Sequence, residues 1–137
     1  MSDDDRFINP ILDTDIETLM VVASSLDVTN KVVLGVKEPK KKDVIVPKYE
    51  RDAAVIAEVL KYAHNRCELC GTKPFLTCSE RHYLEVHHVR RLADGGSDTV
   101  TNTVALCPNC HKEIHFGINA PKLIEQLYSQ VQRLVRE

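Results

Sequence analysis

Four of the five cysteines in this 137-residue chain occur as two Cys-x-x-Cys pairs, Cys67 with Cys70 and Cys107 with Cys110. A structural zinc ion takes four ligands in a tetrahedron, and two such turns supply four thiolates from segments that are distant in sequence. The pairs therefore predict a structural zinc site. Neither pair lies in the βαβ pattern that surrounds thioredoxin-like redox motifs, which disfavours a redox role. The fifth cysteine, Cys78, stands outside the pattern and is interpreted as a buried structural thiol.

Four histidines form a second group of candidate ligands. His111 and His115 are four residues apart in a segment predicted to be helical, so both lie on one face and can chelate one metal ion. An exposed helical pair without a ligand is the alternative for these two residues. His87 and His88 are adjacent in a predicted strand, where neighbouring side chains point to opposite faces. They indicate two different tasks: one imidazole joins the metal ligands, and the other, with an ordinary pKa of about 6.5, serves as a general base.

The segments that carry these residues alternate between predicted strands and helices. Apolar residues at helical spacing predict helices at about 13–26, 51–64, 111–116 and from 121 onwards. β-Branched and aromatic residues predict strands at 31–36, 44–47, 83–89 and 103–106, while 37–43 is an exposed linker and 94–97 a turn. The apolar face of the last helix is expected to cover the core, and a homodimer contact is the alternative.

The order and spacing of these motifs resemble the HNH endonucleases. The residues that match are the segment 84–89 with its histidine pair, Gly95 to Asp98, Asn102, the segment 106–111, and His115. The resemblance covers about residues 48–117, and the four cysteines make the chain look most like the McrA-like restriction endonucleases and related phage and bacterial HNH nucleases. It implies an α+β fold with a zinc-stabilised ββα-metal core and flanking helices.

By this resemblance, His88 is the general base that takes a proton from the attacking water, and Asn102 braces the loop that orients it. His87, His111 and His115 would hold one catalytic divalent ion. The implied reaction is hydrolysis of DNA phosphodiester bonds to 5′-phosphate and 3′-hydroxyl products. Three imidazoles suit zinc, nickel, cobalt or manganese better than magnesium, which prefers oxygen ligands. The identity of this ion among Mg²⁺, Mn²⁺, Ni²⁺, Co²⁺ and Zn²⁺ therefore stays open.

The charge and hydropathy of the chain restrict its partners. A formal net charge of -2 is not typical of a nucleic-acid binder, so DNA binding requires local positive charge. Arg90, Arg91 and Lys112 flank the motif and are the candidate phosphate contacts, with ordinary solvated charges as the alternative. No apolar run approaches the roughly 20 residues that span a bilayer, and the acidic N-terminus lacks the features of a secretory signal. We expect a cytoplasmic protein that acts on double-stranded DNA and not at a membrane.

The predicted organisation is an N-terminal appendage of unknown role at residues 1–47 and a nuclease domain at 48–137 that includes the C-terminal helix. Its expected role is restriction or the processing of phage or mobile-element DNA. The main alternative is a non-catalytic zinc-containing DNA-binding module, which would have little reason to keep His87, His88 and Asn102 together. A zinc-dependent protein-interaction adaptor is the third reading, and it predicts no salt-dependent binding to DNA.

Overall fold

The computed structural model describes residues 16–137. Contacts divide the chain into two compact units, Met1–Pro47 and Lys48–Glu137, and each is described by itself. The elements in chain order are the helices and strands α1 (Ile16–Ser24), α2 (Ala53–Ala63), β1 (Glu85–His88), a 3-10 turn (Leu92–Asp94), β2 (Thr103–Leu106), α3 (Pro108–Phe116) and α4 (Ala120–Gln130). No helix in this part of the chain is long and apolar enough to cross a membrane. The observed class is α+β, as the sequence predicts.

The first unit differs most from the prediction. Helix α1 confirms the expected helix, although its expected start at about residue 13 lies outside the described residues. The strands predicted at 31–36 and 44–47 are wrong: both segments lack strand structure, and their apolar side chains are exposed, with Ile45 fully so. A high β-propensity forms a strand only where a neighbouring strand satisfies the backbone, and neither segment has one among residues 16–47.

Helix α2 begins one residue after Asp52, whose Oδ1 accepts a hydrogen bond of 2.9 Å from the amide of Ala54. This cap satisfies an amide that has no partner inside the helix. The helix ends at Ala63, and the C-cap residue His64 adopts a left-handed conformation with φ 51°. Its buried residues Val59 and Ala63 pack on Ala105 of β2. The helix predicted at 51–64 is therefore confirmed, with its first two positions serving as the approach and the cap.

The two strands pair antiparallel, with His87 opposite Val104 and His88 opposite Thr103. All four residues of β2 are buried because helices cover both faces of this small sheet. Val104 belongs to the core with α3 and α4, whereas Ala105 belongs to the core with α2. Residues opposite each other in an antiparallel pair share a face. The register therefore directs His87 towards α3 and His88 towards α2.

The connection between the strands depends on two glycines. Gly95 has φ 87°, which a residue with a side chain adopts only with strain. At Gly96 a Cβ atom would lie 1.9 Å from the carbonyl oxygen of Arg90, so only glycine fits. The predicted turn at 94–97 is confirmed, and it brings the residues that follow it back onto β1.

The second half of the unit closes the core. Helix α3 starts inside the second cysteine pair, with Cys107 as its N-cap and Pro108 as its first residue. Helix α4 ends at Gln130, earlier than its apolar pattern suggests, yet Val131 and Leu134 remain buried in the same core as Leu127. The final helix therefore covers the core as expected, and a homodimer contact stays a prediction.

Cys78 corrects one interpretation of the sequence, because its side chain is exposed and not buried. It lies in a tight turn in which the Thr77 amide donates to the Arg81 carbonyl at 2.7 Å and the Glu80 amide donates to the Thr77 carbonyl at 2.9 Å. Such a turn projects from the surface and leaves the thiol outside the core.

Candidate active site

The four paired cysteines lie together, with their sulfur atoms all within 4.8 Å of one another. Cys70 Sγ and Cys107 Sγ are 3.8 Å apart. A tetrahedron of Zn–S bonds of about 2.3 Å places its sulfurs about 3.8 Å apart, so the spacing and the donor set fit zinc. Burial and the neighbouring thiols raise the pKa of Cys110, because thiolates so close together repel one another. A bound cation would offset that repulsion.

Backbone amides support the sulfurs in each pair. The amide of Cys70 lies 3.5 Å from Cys67 Sγ, and the amide of Cys110 lies 3.4 Å from Cys107 Sγ. These contacts direct N–H dipoles at sulfur, which favours the thiolate that a metal ion requires. The two turns thus have the same local geometry although one follows α2 and the other begins α3.

Three histidines form a second cluster between β1 and α3. The ligand atoms of His87, His111 and His115 lie within 4.8 Å of one another, and Nε2 of His111 is 3.2 Å from Nε2 of His115. His87 is buried and its Nε2 has no hydrogen-bond partner. Burial, followed by the nearby positive charges, lowers the pKa of His87 to about 3. A neutral, buried and unpartnered nitrogen beside two other imidazoles fits a divalent metal ion.

The carboxylate of Glu85 forms a hydrogen bond with one of these histidines. Glu85 Oε1 accepts a hydrogen bond of 2.8 Å from His111 Nδ1, and Glu85 Oε2 accepts one of 2.8 Å from the Tyr83 hydroxyl. Burial alone would raise the pKa of Glu85, but these two bonds and the charges of His111 and Lys112 lower it. Because Nδ1 of His111 donates to Glu85, Nε2 is left as the atom that faces the cluster.

His88 points to the opposite face of β1 from His87 and is not a member of the three-histidine cluster. It is also buried, and its Nε2 lies 2.9 Å from Oδ1 of Asp98. The other oxygen of Asp98 accepts a bond of 2.8 Å from the Asp52 amide and lies 3.3 Å from Nε of Arg51. Burial would raise the pKa of Asp98, but the hydrogen bonds from His88, Asp52 and Arg51 lower it to about 2. The partner of His88 is therefore an ionised carboxylate.

Asn102 is fully buried and spans the connection between the two strands. Its Nδ2 donates to the carbonyls of Arg90 at 2.9 Å and Ser97 at 2.8 Å, and its Oδ1 accepts from the Arg90 amide at 2.9 Å. Its own carbonyl accepts from the Val89 amide at 2.8 Å. These contacts hold the segment after His88 against the segment that carries Asp98, so the side chain is placed to brace the loop.

Comparison with known proteins agrees with this geometry. Residues 67–117 match the model of the family described as HNH endonuclease. The segment 67–117, which contains both cysteine pairs and the three-histidine cluster, therefore resembles the HNH endonucleases. Over 124 residues it is 43% identical to the Type IV methyl-directed restriction enzyme EcoKMcrA of Escherichia coli (strain K12), covering 88% of this chain and 45% of that protein. The chain thus spans less than half the length of this relative.

Two solved structures are similar to part of this chain. The Type IV phosphorothioation-dependent restriction endonuclease ScoMcrA shares 38% identity and a TM-score of 0.55, covering 61% of this chain and 16% of that one. The modification dependent TagI restriction endonuclease shares 32% identity and a TM-score of 0.44, covering 49% of this chain and 24% of that one. The matches to EcoKMcrA and ScoMcrA confirm the resemblance to McrA-like enzymes seen in the sequence.

A groove of about 410 Å³ opens beside the three-histidine cluster. Its walls include His87, His115, Arg90 and Arg91, so two of the three predicted phosphate contacts border the cluster. Arg91 Nε pairs with Asp94 at 3.1 Å, and both side chains are exposed. Lys112 lies elsewhere on α3, with its ammonium 6.0 Å from the centre of the Phe116 ring.

Sequence reasoning assigned no role to three side chains that touch the site: Glu85, Asp98 and Arg51. Glu85 had a detectable signal, because it lies two residues before His87 and therefore on the same face of the strand. Asp98 lies in the segment from Gly95 to Asp98 that matches the motif, but nothing in the sequence showed that it contacts His88, and Arg51 had no signal. Such contacts depend on the folded arrangement of the chain.

Proposed function

We propose that this protein is a metal-dependent endonuclease that hydrolyses DNA phosphodiester bonds through His88. The observation that carries the proposal is that two adjacent histidines face different groups. His87 faces a cluster of three imidazoles, whereas His88 faces the carboxylate of Asp98. A site that only bound zinc would gain nothing from the second arrangement. The similarity to restriction enzymes supports DNA as the substrate.

His88 acts as the general base in this mechanism. Its ring accepts a proton from a water molecule as the water oxygen attacks phosphorus, and the bond from phosphorus to the 3′ oxygen breaks. The departing oxygen takes up a proton, which leaves 5′-phosphate and 3′-hydroxyl ends. Asp98 keeps the ring oriented and stabilises the positive charge that forms on it. Asn102 keeps the connecting loop in place while this happens.

The three-histidine cluster would hold the catalytic divalent ion, with His87, His111 and His115 as ligands. Such an ion, when bound, neutralises charge at the phosphate and assists the departing oxygen. The four cysteines would hold a structural zinc ion that ties the turn after α2 to the start of α3. Arg90 and Arg91 would contact phosphates of the substrate, since they border the same groove as His87.

The biological setting belongs to the same proposal. EcoKMcrA is described as methyl-directed and ScoMcrA as phosphorothioation-dependent, so we propose a role in restriction of double-stranded DNA. We place the protein in the cytoplasm, where reducing conditions keep the five cysteines from forming disulfides. Cutting both strands at one position would require two sites, which makes a homodimer the proposed form for double-strand cleavage.

Cleavage of supercoiled plasmid tests the proposal. Purified protein is treated with EDTA, supplied separately with magnesium, manganese, cobalt or nickel, and incubated with unmodified or cytosine-methylated plasmid. We expect metal-dependent nicking or linearisation that His88→Ala reduces by at least about 10²-fold. His64→Ala, which changes an exposed histidine outside both clusters, is the matched control.

Zinc content and circular dichroism establish that His88→Ala is folded. Undiminished cleavage by a folded His88→Ala variant would contradict the assigned mechanism. Salt-dependent binding to DNA without cleavage under any of these metals would instead support a non-catalytic DNA-binding module.

A further inference from the structure

The contact between His88 and Asp98 determines which ring nitrogen of His88 can accept a proton. An ionised carboxylate offers only acceptors, so a neutral imidazole facing it must present its N–H. The atom of His88 that lies 2.9 Å from Asp98 is Nε2. In the neutral ring the proton therefore resides on Nε2, and the lone pair resides on Nδ1.

We propose that Asp98 is a positioning residue that holds His88 in the Nε2–H tautomer and leaves Nδ1 to accept the proton of the attacking water. This inference rests on the proposed nuclease function and names the atom that carries it out. It also separates Asp98 from the metal ligands. The carboxylate acts on the reaction through His88 and belongs to neither the cysteine nor the histidine cluster.

Residues on either side of Asp98 fix its position. The Asp52 amide donates to Oδ2 at 2.8 Å, and Arg51 Nε lies 3.3 Å from the same oxygen. The neighbouring Ser97 is held by Glu137 and Asn102: its amide donates to Glu137 Oε1 at 2.9 Å, and its carbonyl accepts from Asn102 Nδ2 at 2.8 Å. The carboxylate thus has little freedom to leave the His88 ring.

This arrangement gives the approach to α2 a role at the site. Arg51 and Asp52 lie before the segment 67–117 that matches the HNH endonuclease family. Oδ1 of Asp52 caps α2 through Ala54, while its amide binds Asp98. One residue therefore joins the start of the helix to the carboxylate that orients His88.

Nuclear magnetic resonance of the imidazole nitrogens tests the inference without any cleavage. The zinc-loaded protein is measured without added divalent ion at about pH 8, where an ordinary histidine is neutral. We expect Nε2 of His88 to be protonated and Nδ1 unprotonated. In Asp98→Asn the amide can donate its own N–H to Nε2, so we expect the proton to move to Nδ1. A wild-type ring protonated on Nδ1, or an unchanged ring in Asp98→Asn, would overturn the inference.

Cleavage kinetics give the second readout. We expect Asp98→Asn to lower kcat by about 10²–10⁴-fold, by analogy with the loss when a serine-protease aspartate that orients histidine becomes asparagine. KM for DNA should change less than about threefold, because Asp98 does not contact the substrate. Asp98→Glu retains a carboxylate and should recover part of the lost rate together with the Nε2–H tautomer. If Asp98 had only a structural role, we would expect neither a loss of kcat with little change in KM nor a recovery of rate in Asp98→Glu.

Asp27→Asn is the matched control, since Asp27 is an exposed aspartate that accepts a backbone bond from Thr29. It should leave kcat and the His88 tautomer unchanged. If wild type cleaves and Asp98→Asn cleaves equally well, the inference fails while the nuclease function stands. If wild type cleaves no DNA but the tautomer depends on Asp98 as expected, the nuclease proposal fails and the positioning of His88 by Asp98 stands.

Discussion

Glu85 Oε1 lies 2.8 Å from Nδ1 of His111, and this contact determines which nitrogen of His111 faces His87 and His115. Tyr83 completes the arrangement by donating its hydroxyl hydrogen to the other oxygen of the same carboxylate. Carboxylates that accept the second N–H of a metal-binding histidine raise its basicity and fix its orientation. Glu85 is therefore expected to tune the histidine cluster without being a ligand.

Replacing Glu85 with glutamine should weaken binding of manganese or cobalt to the histidine cluster by about 10–100-fold. The neutral amide keeps the size of the side chain but loses the charge that supports His111. Calorimetric titration of zinc-loaded protein measures the affinity directly. Glu113→Gln changes an exposed glutamate of α3, the helix that carries His111, and should bind the ion as wild type does. Equal affinities for both variants would show that Glu85 has no influence on the ion.

Replacement of cysteine by serine should have different effects on stability at Cys107, in the four-cysteine cluster, and at the exposed Cys78. Cys107→Ser removes one of four clustered sulfurs, so the variant should lose zinc and much of its folded structure. Apparent binding free energies of structural zinc, about 10–16 kcal/mol in finger peptides, are largely folding free energies. Cys78→Ser changes an exposed thiol and should alter the free energy of unfolding by less than about 0.5 kcal/mol. Zinc analysis and thermal unfolding distinguish them, and a stable, zinc-loaded Cys107→Ser protein would argue against the site.

Features that depend on residues close together in the sequence could be predicted, whereas features that depend on residues far apart in the sequence could not. The cysteine pairs and the His111–His115 pair were recognisable because their geometry is local to a turn or to one helical turn. The strands predicted at 31–36 and 44–47 failed because strands need partners that propensity does not reveal. Asp98 contacts His88 because the loop that contains Gly95 and Gly96 returns towards β1. Its role could therefore be recognised only in the folded structure.

Arg91 should contribute to DNA binding through charge alone. Its side chain is exposed and borders the groove beside His87, so Arg91→Ala should weaken binding several-fold for every duplex sequence tested. The slope of log affinity against log salt should fall by about 1, because one fewer phosphate is neutralised. Fluorescence anisotropy in a His88→Ala background measures binding without cleavage. Lys122→Ala, an exposed charge on α4, is the control, and an equal effect of both would assign Arg91 to the general surface.

Asp98 should remain ionised at pH values at which ordinary aspartates become protonated. Hydrogen bonds from His88, Asp52 and Arg51 outweigh the effect of burial and lower its pKa from 3.8 to about 2. Because the folded pKa is depressed, the carboxylate contributes stability that is complete above the unfolded value of 3.8 and is lost as the pH falls towards about 2. Cleavage lost on mild acidification should therefore arise from another group.

The carboxyl carbon resonance of Asp98 measures this directly as the pH is lowered from about 7 to about 4. It should show little titration in the folded protein, whereas a peptide of residues 95–101 should titrate near the ordinary aspartate value. Arg51→Ala removes one of the contacts that favour the ionised form, so it should move the Asp98 titration to higher pH. If Asp98 is half protonated at about pH 4 in wild type, the hydrogen bonds do not stabilise its ionised form. Its interaction with His88 is then weaker than proposed.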